Sequence, residues 1–354
     1  MISYLLLLGF VPVIAYLGRR SGNRLIQRTS LILAGAALVV FAGVRHRNVG
    51  TDTGNYITHF YAGASFDYVM ERQDTGYYLL SWFARWLSDS YSALLTLIAL
   101  VVVACYITTI TRLVRRYETA LYLFITLGVY TFFFNGARQG IAAAICFLAI
   151  PYLLERRMWP YVVLVAVAAT FHQTALIALP LYWVAQPRVT WRNLIAVAGV
   201  TTLLVAFLGV FVGLAAELFN DKYASYAEVG EGGGEVWVTY LVGQGALLYC
   251  FKRLVPDENG WYGRLLNIYL IGLVPALAST LSGVNPSGVL RLHLYFSPTA
   301  ILLWPMVFRQ FGLTPLRGIV SVGFFAVTLV FFVLTTSTFS GLTPYRVNPE
   351  LLTR

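Results

Sequence analysis

Between residues 43 and 60 the chain reads GVRHRNVGTDTGNYITHF, gathering Arg45, His46, Arg47, Asp52 and His59 in a protein with only 11% charged residues. Two guanidiniums offer planar forks of N–H donors that match a phosphate. A nearby carboxylate can orient one of them or handle a proton. Gly50, Asp52, Gly54 and Asn55 carry turn chemistry, so the stretch reads as a loop following an apolar helix. The same charges would also arise if Arg45 and Arg47 snorkelled to a membrane interface with Asp52 as a local ion partner. Farther along, Arg138 stands between Gly136 and Gly140, His172 lies in TFHQTA, and Arg291 precedes LHLYF. Each has a blander role open to it: a hairpin cap for Arg138, a packing histidine for His172, an interfacial anchor for Arg291. Packing leads for His46, His59 and His293. No metal-ligand spacing and no Gly-rich phosphate loop is visible, so neither a metal nor another cofactor is expected.

The elements that must position these residues follow from composition. Of 354 residues, 58% are hydrophobic, and the mean hydropathy is +0.72. A soluble domain carries about a quarter charged residues, so the chain reads as an all-α polytopic membrane protein, a single membrane domain over 1–354. Its net charge of +10 then speaks of orientation and not of nucleic acid. Cys105, Cys146 and Cys250 lie in apolar runs and read as small core residues. The first apolar segment lacks a basic leader and a cleavage site, and is expected to be a retained helix.

Apolar runs predict about 12 crossings (10–12): 2–17, 29–44, 91–110, 120–134, 141–154, 159–171, 172–183, 194–214, 238–251, 265–281, 292–308 and 319–336. Arg19, Arg20, Arg24 and Arg28 put the first loop in the cytoplasm. Splitting 159–183 into two short spans, broken around ATFHQTA, keeps the positive-inside pattern throughout. The first half has only 13 residues, so a re-entrant pair is the alternative. Sixteen of the 25 basic residues then fall inside, with 4 of the 15 acids. Outside lie a loop over 45–89, holding an interfacial amphipathic helix at 76–87, and an acidic, Gly-rich loop over 217–235.

On this map Arg45, Arg47, Asp52, Arg138, His172 and Arg291 share the outer face. Arginines can hold a diphosphate and neutralise the charge that develops as it leaves. A histidine, or Asp52 in its place, can accept a proton from an attacking hydroxyl. That chemistry suits transfer of a sugar from a lipid diphosphate; the same residues could instead form an anion gate in a lipid-linked oligosaccharide transporter or flippase.

VRHRNVGTDTGNYITHF resembles the signature of the EpsG family of Wzy-like bacterial exopolysaccharide and O-antigen polymerases. GARQGIAAAICFLAI, TFHQTALIALP and RLHLYFSPTAIL are similar to later segments of that family, in the same order. The resemblance implies a GT-C-like polymerase or ligase architecture in the bacterial inner membrane, with the active site facing the periplasm. It implies metal-independent, inverting polymerisation of undecaprenyl-diphosphate-linked oligosaccharide repeats, which serve as donor and acceptor, beside a flippase and a chain-length regulator. Arg45, Arg47, Arg138 and Arg291 would bind the diphosphate, and His172 or Asp52 would be the base. A ligase moving glycan to another acceptor is the neighbouring activity. The chain lacks the very long late periplasmic loop of the better-known Wzy polymerases.

Overall fold

A computed structural model describes residues 1–62, 73–207, 210, 234–282, 288–310 and 317–351. The regular structure of the described residues is helical, with one isolated bridge between Arg45 and Val347. Residues 63–72 of the first outer loop, 217–233 of the acidic loop and 283–287 before Arg291 lie outside them. The chain divides into two units, Met1–Leu179 with Phe311–Arg354, and Pro180–Gln310.

The first unit begins with α1 (Ile2–Arg20) and α2 (Arg24–Gly43), each about 30 Å long at 1.5 Å per residue and so able to cross a bilayer core. Gly22, at φ +68°, makes the turn, and the Asn23 side chain accepts the Leu25 N–H at 2.8 Å to start α2. There follow α3 (Thr53–Ala62), α4 (Thr75–Leu87), α5 (Ser92–Leu113), α6 (Tyr117–Thr126), α7 (Val129–Asn135), α8 (Ala137–Leu154) and α9 (Met158–Phe171). Helix α8 is the hub, 83% of its residues being buried inside the protein, against about a third in α1 and α2. Its small residues Gly140, Ala142, Ala143, Ala144 and Ala149 let α5, α7 and α9 approach closely. Cys105 and Cys146 are buried in this core, whereas Cys250 of the second unit is exposed.

Seven helices among the described residues are long and apolar enough to span: Ile2–Arg20, Arg24–Gly43, Ser92–Leu113, Tyr117–Asn135, Ala137–Leu154, Trp261–Leu281 and Gly318–Phe339. This is a multi-pass membrane protein. Of the other five expected crossings, 194–214 runs beyond Trp191–Ala206 into residues 208–209 and 211–214, which lie outside the described ones. The rest fall on shorter segments: Glu235–Phe251 has 17 residues, and the stretch after Arg291 is two 3-10 turns before Ala300–Gln310. Hydropathy counts apolar residues whatever their backbone, and a broken backbone covers less distance than the count implies.

The expected break near His172 is present. Helix α9 is 14 residues, roughly 21 Å, and stops where His172 turns extended at φ −161°, ψ 119°. The chain then runs back as a 3-10 turn, Gln173–Ala178, and Tyr161 near the start of α9 donates its hydroxyl to Ala178 O at 2.5 Å. His172 is thus the tip of a hairpin.

Sidedness is coherent without any reference to a membrane. The ion pairs Arg19–Glu118, Arg112–Glu155 and Arg157–Glu155 each join two residues that the charge pattern puts inside. Arg85–Asp89, Arg138–Asp74 and His172–Asp74 each join two that it puts outside.

Helix α4 is the amphipathic helix expected at 76–87, with Leu79, Phe83, Trp86 and Leu87 exposed and Tyr77, Tyr78, Ser81 and Ala84 buried. It meets the α9 hairpin tip through Gly76, where a Cβ would come within 2.5 Å of Thr170 Oγ1 and 3.1 Å of its carbonyl. Gly76→Ala should therefore destabilise the protein by about 1–3 kcal/mol. Gly54→Ala, which meets nothing within 4 Å, should be neutral or slightly stabilising. Thermal unfolding of the two purified variants checks the contrast.

Candidate functional site

Asp74 opens α4, where an aspartate ordinarily turns its carboxylate onto the first helical N–H groups. Here the backbone carbonyl does start the helix, accepting from Tyr77 N at 2.9 Å, but the side chain makes no capping bond. The carboxylate is 2% exposed and turns toward two other chain segments. Its Oδ2 accepts from Arg138 Nη1 at 2.9 Å, and its Oδ1 lies 3.7 Å from His172 Nδ1. Forgoing a cap of about 1 kcal/mol makes sense if the carboxylate is needed elsewhere.

Arg138 occupies the first turn of α8, where a cation opposes the helix dipole, so its place there needs another reason. Asp74 supplies one, and the rings of Tyr77 and Tyr78 supply another, lying 5.2 and 5.3 Å from the guanidinium carbon. About a quarter of the Arg138 side chain remains exposed, so part of its fork can meet a ligand. Tyr56 of α3 completes the wall: its hydroxyl accepts the Ala137 N–H at 2.9 Å and its ring lies 5.8 Å from that of Tyr77. Burial pushes the Tyr77 hydroxyl well above the ordinary phenol range, so it remains a proton donor. His172 Nδ1, Tyr77 Oη and Gln173 Oε1 are buried and find no hydrogen-bond partner among the described residues. Buried polar atoms left so are uncommon and mark a place where a ligand or water completes the bonding.

The motif around Arg45 is built differently. Arg45 is fully buried; its Nη1 donates to Ala42 O at 2.6 Å, and its guanidinium lies 4.2 Å from the centre of the Phe134 ring. Burial draws it down to about 10, still high enough to stay a cation at neutral pH. Thr53 Oγ1 donates to Val49 O, Thr51 N–H reaches Asn135 Oδ1 at 2.8 Å, and Gly50, at φ +96°, sits where a Cβ would strike Asn135. Residues of the carboxyl-terminal segment seal the loop: His46 N–H donates to Arg346 O, Asn348 N–H to Val44 O and Gly50 N–H to Gly341 O. Tyr345 stacks on Phe41, and Asn348 Nδ2 reaches Ser92 Oγ.

A model of the EpsG family matches residues 28–347, nearly the whole chain. The chain belongs to the EpsG family. This is a family of Wzy-like exopolysaccharide polymerases, which gives the protein a polymerase role in exopolysaccharide synthesis. No curated protein and no solved structure matches the chain.

In this EpsG-family protein, Arg138 and His172 are brought together, through an aspartate that sequence reasoning passed over. Asp74 was hidden among the acids of a polar loop; the signal that could have found it is a capping residue directly before the aromatic run GYYLLSWF. Asp52 is half-buried at the start of α3, its carbonyl accepting from Tyr56 N, one turn from the hydroxyl that binds Ala137. Arg47 is exposed on the sealed loop. Arg291 is half-buried on the 3-10 turn Leu290–Tyr295 of the second unit. His293 there bonds Ser297 Oγ at 2.8 Å, and His46 Nδ1 accepts the Asn48 N–H, local packing roles for both. Among the described residues no three His, Cys, Asp or Glu side chains gather as a metal site would require.

Because Arg45 holds the loop from beneath, Arg45→Ala should free the carboxyl-terminal segment. Hydrogen exchange at the amides of His46 and Asn348 should speed up at least tenfold, while amides in the middle of α8 keep their protection.

Proposed function

We propose that the protein polymerises undecaprenyl-diphosphate-linked oligosaccharide repeats at the periplasmic face of the bacterial inner membrane. The observation that carries this is the Arg138–Asp74–His172 cluster, a fork of phosphate-binding donors beside a histidine with an unsatisfied ring nitrogen. It lies at the end of the helices opposite the arginine-rich loops, as outer placement requires.

In the transfer, the acceptor sugar hydroxyl attacks the anomeric carbon of the donor from the face opposite the diphosphate. The new C–O bond forms as the carbon–phosphate oxygen bond breaks, and the configuration inverts. The bonding electrons leave on the diphosphate oxygen, whose charge Arg138 stabilises with Nη donors. The hydroxyl proton passes to a ring nitrogen of His172, which later releases it to water. Arg47 and Arg291 remain candidate diphosphate ligands on their motifs alone, and Asp52 is the competing base. Arg45, with Nη2 its one nitrogen lacking a hydrogen bond, contributes field and loop position. Nucleotide, metal and other cofactors have no step in this scheme. The five shorter apolar segments would complete a GT-C-like set of about twelve crossings, some of them re-entrant. A flippase would supply the donor and a chain-length regulator would limit the product.

Purified protein given one synthetic lipid-linked repeat should make a ladder of products, and chelator should leave the rate unchanged. Arg138→Lys keeps the charge but loses the fork, and should cut turnover about 100-fold or more. His172→Ala should cut it by roughly 10² to 10⁴. Failure of folded wild-type protein to form even a dimer would turn the assignment toward a transporter or a ligase with another acceptor.

A further inference from the structure

The turn that joins α8 to α9 puts an arginine where a helix ordinarily ends on glycine. Arg156 has φ +58°, the left-handed region, and among the described residues every other positive φ belongs to a glycine. Its N–H donates to Leu153 O at 3.2 Å and the Arg157 N–H to Tyr152 O at 2.8 Å, the pair of bonds that closes a helix around a residue of positive φ. A Cβ crowds the backbone in that conformation, which is why glycine is the usual occupant. An arginine kept there against its backbone preference calls for a use of its side chain.

Charge and apolar surface follow one another along this turn. Arg156 is exposed, and so is Arg157, with 57% of its side chain accessible. The guanidinium carbons of Arg112, from α5, and Arg157 lie 5.0 and 5.3 Å from the centre of the Tyr152 ring. Glu155 bonds Arg112 at 2.6 Å but stands 3.9 Å from Arg157, so it neutralises mainly the former. Beyond the turn, Trp159, Val163 and Val167 are exposed at four-residue intervals, a stripe roughly 12 Å long on one side of α9.

We propose that this turn and stripe hold an anionic phospholipid, its phosphate on Arg156 and Arg157 and an acyl chain along Trp159, Val163 and Val167. The proposal is independent of the polymerase reading. Planar guanidinium forks suit a phosphodiester, which accepts paired N–H bonds. A free phosphate would use the forks and leave the stripe bare, and a neutral lipid would do the reverse. An amphiphile with an anionic head uses both. The order of side chains also matches the depth profile of one leaflet: cations at the phosphates, an indole at the interface, branched aliphatics in the hydrocarbon. The charge pattern puts this end of the first unit in the cytoplasm, where the leaflet is anionic and basic pockets take its headgroups.

The test titrates full-length protein in neutral detergent with phosphatidylglycerol and, separately, phosphatidylcholine, and counts bound lipid by native mass spectrometry. Wild-type protein should retain phosphatidylglycerol in preference, and inorganic phosphate at millimolar concentration should not displace it. Arg156→Gly should weaken phosphatidylglycerol binding about fivefold. Its thermal midpoint without added lipid should stay level or rise, because glycine relieves the backbone, so poor folding cannot account for the loss. Arg156→Lys, which keeps the charge without the fork, should weaken binding about twofold. Trp159→Ala should weaken it as well. Equal retention of the two lipids, or unchanged phosphatidylglycerol affinity in Arg156→Gly, would overturn the proposal. Displacement by inorganic phosphate would also do so, by reducing the turn to a simple anion site. So would an equal loss in Arg24→Gln and Arg28→Gln, exposed arginines of another turn, since binding would then follow the general field of this end and not a built site.

Discussion

A carboxylate removed from water inside an apolar helical protein has to be neutralised, and one end of the first unit gathers Arg138 and His172 around Asp74. Two side chains beside it come from separate parts of the chain: Arg138, its ion-pair partner, from the start of the hub helix and His172 from the tip of a folded-back hairpin. Neither could reach it unless α4 lay against that tip, and the absence of a side chain at Gly76 is what permits the contact. Desolvation makes such a cluster costly to misassemble, since a buried charge left without its partner costs several kcal/mol.

The region divides into a rigid anchor and a responsive cluster. Arg45, Thr53, Asn135 and the segment running from Gly341 to Asn348 form the anchor, tied by backbone and side-chain bonds. The cluster is less tightly bonded and partly open, with an aromatic floor of Tyr77 and Tyr78 under a guanidinium. The anchor keeps the end of α2 and the start of α3 in place.

Arginine serves two purposes here, and burial separates them. Arg45 stacks on Phe134 and donates to the end of its own helix, work that a fully buried guanidinium can do because it is broad, planar and weakly hydrated. Arg138 pairs with an acid and keeps part of its surface exposed, which is what recognition of an anion demands. A motif therefore identifies the family more surely than it identifies which arginine touches substrate.

Hydropathy in the sequence was enough for the membrane class and for most of the long helices, because these depend on local composition acting against a uniform slab. The break at His172 and the amphipathic helix before Ser88 were also legible, one from polar residues interrupting an apolar run and the other from the spacing of its aromatics. Segments such as 292–308 and 172–183 were not, since apolar content does not reveal where a helix tightens into 3-10 turns. Arg138 and His172 could be singled out as candidates from their types alone. Asp74 could not, because a capping aspartate and a buried one look identical in sequence, and what distinguishes them is the arrival of Arg138 and His172 from 64 and 98 residues away. Likewise the loop around Arg45 reads as exposed chemistry until the carboxyl-terminal segment folds over it. Contacts of that range are decided by packing, and only tertiary structure determines which charges remain in reach of a substrate.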